Sequence, residues 1–209
     1  MASRDRERGK TTVRREGLRR ELRRKAFHLA ATVGAAAVVY NLGPLEGRIT
    51  VATATMIALS IEVGRSATRW GKELFERAIG ELLREHERER LTGATTLAIG
   101  YLITTLIAPP YIAASAILAA GTGDAAGALI GRGLGRYEIT RDGKTIEGSL
   151  ACLTAALIVT LPVPGLDPIA KLGGAIILTL AEASIRKIDD NPILAPLTAL
   201  AYLTLSSIR

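Results

Sequence analysis

The sequence predicts an all-α, polytopic integral membrane protein of about seven transmembrane helices, with one short amphipathic helix on the cytosolic side. Three observations lead there. Seven apolar stretches rich in Ala, Leu, Ile, Thr and Gly occupy residues 26–42, 49–63, 91–108, 111–130, 150–163, 168–185 and 192–208. Lys and Arg gather between alternate stretches, as cationic loops do when they are retained in the cytoplasm. The polar side chains that interrupt the apolar runs fall toward one of the two faces. The 209 residues make one domain of ordinary size, led by a basic cytosolic arm over 1–20 and continuing as an integral membrane domain over 21–209.

Most of the stretches fall short of the roughly 20 apolar residues that span a bilayer core upright. Mean hydropathy is only +0.26, so length alone also fits a buried soluble core. Charge placement separates the two. With the N-terminus in the cytoplasm, the inner segments hold 11 Lys and Arg in residues 1–25, 7 in 64–90, 4 in 131–148 and 2 in 186–191, out of 27 in the chain. Arg48, Lys171 and Arg209 fall on the outer side, an alternation for which a soluble bundle has no use. The net charge of +7 would fit nucleic acid, but aromatic residues make up 4% of the chain and the basic ones sit in a few blocks. That argues against nucleic acid and for anionic lipids at the inner leaflet. The single cysteine, Cys152, excludes an intrachain disulfide and a cysteine-built zinc site.

The arm is expected to start disordered and to turn helical near REGLRRELRRKAFH. It leads into 26–42, read as an uncleaved signal anchor because the arm is long and because Glu21, Lys25 and His28 recur at i, i+4 and i+7, one helical face at the membrane entry. After 49–63, residues 68–90 place Trp70, Leu74, Ala78, Ile79 and Leu82 at helical spacing among Lys, Arg and Glu. This is the pattern of a helix on the inner leaflet, or of one packed on the cytosolic face of the bundle. Pro109-Pro110 and Pro162-Val163-Pro164-Gly165 punctuate outer turns. The loop 131–148 holds a hairpin around residues 136–145. Small residues throughout suit helices that pack closely in lipid.

Four groups of residues carry chemistry. In GTGDAAGALIGRGLGR, Asp124 interrupts an apolar run; a carboxylate is costly in a membrane helix, so it faces a polar cavity, a cation or a substrate, or else a neighbouring helix. The surrounding glycines let the helix loosen or end and offer backbone groups to phosphate. No strand precedes them, so they are not a Rossmann fingerprint. In AEASIRKIDDNPILAP, the residues Asp189, Asp190 and Asn191 form an oxygen-rich patch of the kind that holds Mg²⁺ with nucleotide phosphates, with Glu182 earlier in the same run. Asn191, just before Pro192, also reads as a helix N-cap. The third group is Glu21, Lys25 and His28. The fourth is RDGKTIEGS, residues 141–149, where Lys144, Glu147 and Ser149 stand at the cytosolic mouth of a helix. Its Gly-Lys-Thr does not end a P-loop, because Glu138 stands where that pattern needs a glycine. By the topology above, all four groups lie on one side of the membrane.

Taken in order, ELRRKAFH, LTGATTLAIG, GTGDAAGALIGRGLGR, KTIEGS and IDDNPILAP resemble the pattern of the polyprenol kinase family, which includes dolichol kinase, phytol kinase and the CTP-dependent diacylglycerol kinases. The resemblance runs over residues 21–196. It implies that 21–209 is a multi-pass catalytic domain of the cell membrane that phosphorylates a lipid alcohol at the cytosolic face, with CTP as phosphoryl donor and Mg²⁺ or another divalent cation. The resemblance also implies roles. Asp124, Lys144, Asp190 and His28 are the catalytic candidates. Lys25, Gly131, Arg132, Gly135, Thr145, Glu147, Gly148 and Asn191 are the nucleotide-binding ones, and Asp124, Asp189 and Asp190 the metal ligands. Asp190, Asp124 and His28 all stay open as the base. CTP:phosphatidate cytidylyltransferases share D-x-x-A-x-x-x-G and K-T-x-E-G, so those two pieces also fit synthesis of a CDP-lipid. The chain lacks the late Ser-x-x-Lys-Arg and Pro-Gly-His-Gly-Gly stretches of those enzymes, which favours the kinase. A transporter relaying protons or cations through Asp124 and Glu182 would need charges reachable from both faces, and a scaffold leaves Asp124 unexplained.

Overall fold

The computed structural model describes residues 2–80, 83, 87, 90–140, 142–185 and 190–207, with side chains at residue 19 and from residue 21 onward. Among these residues the chain is all-α. Its eight helices are α1 (Ala2–Asn41), α2 (Pro44–Ala67), α3 (Arg69–Ile79), α4 (Gly93–Ile107), α5 (Pro110–Leu134), α6 (Ile146–Thr160), α7 (Pro168–Ser184) and α8 (Asn191–Ser206). The seven apolar stretches fall in α1, α2 and α4 to α8; the amphipathic segment forms α3 as far as Ile79, and its Leu82 lies outside the described residues.

Proline stands at the first or second position of α2, α5, α7 and α8, where a missing N–H costs nothing. The Thr68, Thr92 and Thr145 side chains cap α3, α4 and α6, and Asp167 caps α7. Two sequence expectations change here. The basic arm was expected to begin disordered, but α1 continues without a break from Ala2; its Arg, Glu, Lys and Leu are all good helix formers. Asn191 was expected as an N-cap, but Asp190 holds that place and Asn191 is the first residue inside α8.

α5 lies at the centre and touches α1, α4, α6, α7 and α8. It runs unbroken through its glycines and ends at Gly135, so the expected loosening near Asp124 does not occur. The glycines serve close approach instead. A Cβ on Gly148 of α6 would stand 2.9 Å from the Gly127 carbonyl, and one on Gly123 would stand 2.9 Å from Cys152 Sγ. Neither helix could come so near with larger side chains.

The interior is made of small groups. Ala113, Ala116, Ala119, Ala156, Ala170, Ala175 and Ala199 are fully buried, whereas Met56, Leu106, Ile158 and Leu180 are each more than half exposed. Buried threonines return their hydroxyls to the carbonyl four residues back, as Thr32, Thr104, Thr160 and Thr198 do, which satisfies a polar group without a partner helix. Among the described residues one helix, Pro110–Leu134, is long and apolar enough to cross a membrane by length and composition. Gly93–Ile107 and Ile146–Thr160 are apolar but shorter.

At the end of the bundle that carries the α6–α7 turn, buried Lys171 donates from Nζ to the carbonyls of Leu161 and Val163, both at 2.8 Å. At the opposite end the α5–α6 connection folds into the expected hairpin. Glu138 bridges Thr145, Ile139 N–H donates to Lys144 O at 2.8 Å, and Ile146 N–H donates to Tyr137 O at 2.9 Å. Gly143 takes φ +79 at the tip, a left-handed conformation that glycine adopts without strain. That turn is the use the chain makes of the glycine in its Gly-Lys-Thr.

Candidate functional site

The helical spacing of Glu21, Lys25 and His28 aims all three from α1 at α5. Lys25, 2% exposed, donates from Nζ to Asp124 Oδ2, and His28 Nε2 lies 3.7 Å from the same oxygen. Ninety-nine positions of sequence separate Lys25 from Asp124, and the buried pair closes α1 onto α5. One turn nearer the helix start, Glu21 accepts from Arg24 at 2.5 Å and pairs with Arg132 of α5 at 3.2 Å. Burial works to raise the Glu21 carboxyl, but Arg24, Arg132 and Lys25 hold it below the ordinary carboxylate value. Burial likewise opposes the charge on Arg24, and the Glu21 carboxylate outweighs it and raises the guanidinium further.

The hairpin brings in the second lysine. Lys144 Nζ bonds Glu182 Oε1 at 2.6 Å and the Glu182 main-chain carbonyl, and lies 4.0 Å from Asp190 Oδ2. Glu182 stands in the last turn of α7 and Asp190 is the N-cap of α8, so Asp124, Glu182 and Asp190 arrive from three helices. One carboxylate oxygen from each lies within 4.8 Å of the others. Mg²⁺ takes oxygen ligands at about 2.0–2.1 Å in octahedral array, and three convergent carboxylates are the donor chemistry such an ion selects. The residues therefore fit a divalent cation.

These groups face a cavity of about 650 Å³, within the range of small-molecule sites. Of the residues singled out in the sequence, its wall contains Lys25, Asp124, Gly131, Arg132, Lys144, Thr145, Gly148, Asp190 and Asn191. Glu21, Ser149 and Glu182 join them, and Ser149 Oγ is buried without a hydrogen-bond partner. Leu91 and Ile185 give the wall apolar patches.

Three candidates are placed otherwise. His28 stands behind Asp124 and not in the wall. Gly135 ends α5, packed so closely on Thr145 that a Cβ would stand 2.7 Å from its Oγ1. Glu147 turns outward, where its Oε2 accepts from Tyr137 N–H at 3.4 Å; its own and neighbouring backbone N–H groups, those of Arg136 and Tyr137, hold the carboxyl below the usual range. Thr145 and Gly148 line the cavity, yet their first use is local, since Thr145 Oγ1 accepts from Gly148 N–H at 3.1 Å and starts α6. Asp189, read as a metal ligand, lies outside the described residues. Within them Glu182 is the third carboxylate beside Asp124 and Asp190.

A second polar cluster was missed in the sequence. Glu62, at the end of α2, accepts from Arg65 Nε at 2.9 Å, from Thr92 N–H at 2.7 Å and from Thr95 Oγ1 at 3.1 Å. Arg65 also donates to the carbonyls of Glu87 and Arg90 and lies over the Phe75 ring at 5.2 Å. Glu87 Oε1 accepts from Gly93 N–H at 3.1 Å, and the Gly93 carbonyl accepts from Asn191 Nδ2 at 3.2 Å. The chain of contacts thus runs from α2 to the cavity wall. A charged pair at i and i+3 on the edge of the 49–63 run was the available signal.

No protein-family model, no curated protein and no solved structure matches the chain.

Proposed function

We propose that the chain is a multi-pass membrane enzyme that transfers a phosphoryl group from CTP to a polyprenol or similar isoprenoid alcohol at the cytosolic face. One observation carries this reading: carboxylates from three helices and two lysines converge on a ligand-sized cavity at a single end of the bundle. The membrane reading is supported by the distribution of Lys and Arg and by a bundle that is small inside and aliphatic outside. With no hydrophobic drive between helices in lipid, close packing of small residues is what holds them together.

Phosphoryl transfer asks a protein chiefly for charge neutralisation and in-line placement. Asp124, Glu182 and Asp190 would hold the divalent cation, which when bound supplies charge stabilisation on the phosphate oxygens. Lys144 and Arg132 balance the rest of the triphosphate charge. Lys25, nearly fully buried in the cavity wall, fixes Asp124, and His28 supports the same carboxylate from behind. Asp190, the most open of the three carboxylates with 23% side-chain exposure against 11% and 9%, would give one oxygen to the cation and accept the proton of the lipid hydroxyl on the other. The hydroxyl oxygen then bonds to the γ-phosphorus as its bond to the β,γ-bridging oxygen breaks, and CDP leaves. Leu91 and Ile185 offer the lipid an apolar approach.

Purified protein in nanodiscs, given CTP, UTP, ATP or GTP with geranylgeraniol, dolichol, phytol or diacylglycerol, and in a separate arm CTP with phosphatidate, tests this directly. CDP and a lipid phosphate are expected. Pyrophosphate released from CTP and phosphatidate, with no phosphoryl transfer to any alcohol, would replace the kinase by a cytidylyltransferase.

A further inference from the structure

Lys25 and Lys144 both pair with site carboxylates, but they are mounted differently. Lys25 projects from the middle of a long helix and is 3% exposed at its side chain, so it has nowhere else to go. Lys144 stands on the hairpin at the cavity mouth, with 24% of its side chain exposed. The adjacent Gly143 has open space around the position of a Cβ. Its ammonium sits among Glu182 and Asp190 and also caps the last turn of α7 through the Glu182 carbonyl. That seat lies against two of the three carboxylates that would hold the cation.

We infer that Lys144 is a resident counter-ion occupying the cation's place, and that it leaves for the triphosphate when the nucleotide enters, so that cation and nucleotide bind well only together. This rests on the function proposed above. Charge balance is the reason. Three carboxylates against two ammonium groups leave the cluster with one negative charge. A divalent cation added with both lysines in place would make it positive, with like charges a few ångströms apart, whereas departure of Lys144 leaves it neutral. Phosphate oxygens give the departing ammonium the charged acceptors it loses, and a lysine, a flexible point charge, exchanges partners more readily than a bidentate arginine.

Cation affinity itself is the test, read on the full chain in detergent by Mn²⁺ titration followed by electron paramagnetic resonance, without nucleotide. Lys144→Met should bind Mn²⁺ about tenfold more tightly than the wild type, because the competing charge is gone. Adding Glu182→Gln in that background should remove the gain. Lys144→Arg, which keeps the charge, should stay at the wild-type affinity. If Lys144→Met does not fold, Lys144→Gln keeps an amide donor for the Glu182 carbonyl and gives the same comparison.

Unchanged or weaker Mn²⁺ binding on loss of the lysine overturns the inference, and so does a gain that survives Glu182→Gln. The two readings fail separately. Phosphoryl transfer by the wild-type chain, with Mn²⁺ affinity unchanged in Lys144→Met, removes the counter-ion and keeps the kinase. Tightened Mn²⁺ binding in Lys144→Met, when the wild-type chain transfers phosphate to no alcohol, keeps the counter-ion and removes the kinase.

Discussion

Two clusters of buried charge stand near the same end of this bundle, and they are built from different cations. Around Glu62 the partner is an arginine whose guanidinium also engages two carbonyls, while backbone N–H groups fill in the carboxylates. Every charge there has a directed, local use. Around Asp124, Glu182 and Asp190 the partners are lysines, and the carboxylates face a cavity. Arginine locks a planar acceptor by shape, and lysine neutralises it by proximity alone. The first cluster is a clasp, the second an arrangement that a ligand's charges can reorganise.

The largest expected effect tests whether the second cluster is spent on chemistry. Asp124→Leu should lower transfer by at least about 100-fold, and it leaves Lys25 buried without its carboxylate, a loss of about 3–5 kcal/mol. Lys25→Met added to Asp124→Leu should recover most of the stability, since an apolar pair can replace a buried ion pair at little cost, yet recover none of the activity. Thermal unfolding in detergent beside the transfer assay reads both. Recovery of activity in the double variant would make the pair structural and erase the contrast.

Arg65→Ala should show the reverse profile. Stability should fall by about 3–5 kcal/mol, while kcat of the folded protein stays within a few-fold of wild type. A kcat collapse with little change in unfolding temperature would show the clasp to be part of the catalytic machinery. The link between the clusters is tested by Gly100→Val. A Cβ there would stand 2.8 Å from both the Asn191 carbonyl and Pro192 Cα, so α8 must shift, at about 1–3 kcal/mol. Movement of Asn191 should raise KM for CTP more than it lowers kcat.

The smallest effect is in pH. Glu21 has a folded value below the ordinary 4.5, so its stabilising contribution is complete above about pH 4.5 and is lost as pH falls through the lower folded value. The gap in unfolding temperature between wild type and Glu21→Gln should be constant from about pH 8 to about pH 5 and should close on further acidification. A gap that widens in acid would contradict the assignment.

Helix number and order were legible because apolar runs and prolines are local signals. Asp124 stood out as a carboxylate in an apolar run, and Lys144, Asp190 and Asn191 as polar residues beside helix starts. The pairing of Lys25 with Asp124 and of Lys144 with Glu182 was not legible, since partners 99 and 38 positions apart leave no spacing to read. The α5 glycines do end the helix at Gly135, but the loosening expected near Asp124 was a misreading, for a related reason. Gly-rich sequence fits both a broken helix and a tight helix contact, and only the neighbour's identity, Gly148 and Cys152 of α6, distinguishes them. Glu62 and Arg65 were passed over because charges at the edge of an apolar run resemble ordinary interfacial ends.

Lys171 gives the α6–α7 pair a fixed far end. By holding the carbonyls of Leu161 and Val163, it rivets the two rods together at the tip remote from the cavity. A pair of rods joined at one tip behaves like tweezers. Any splaying of α6 from α7 is therefore greatest at their other tips, where Thr145 begins one and Glu182 nearly ends the other, and where a small angular change becomes the widest gap.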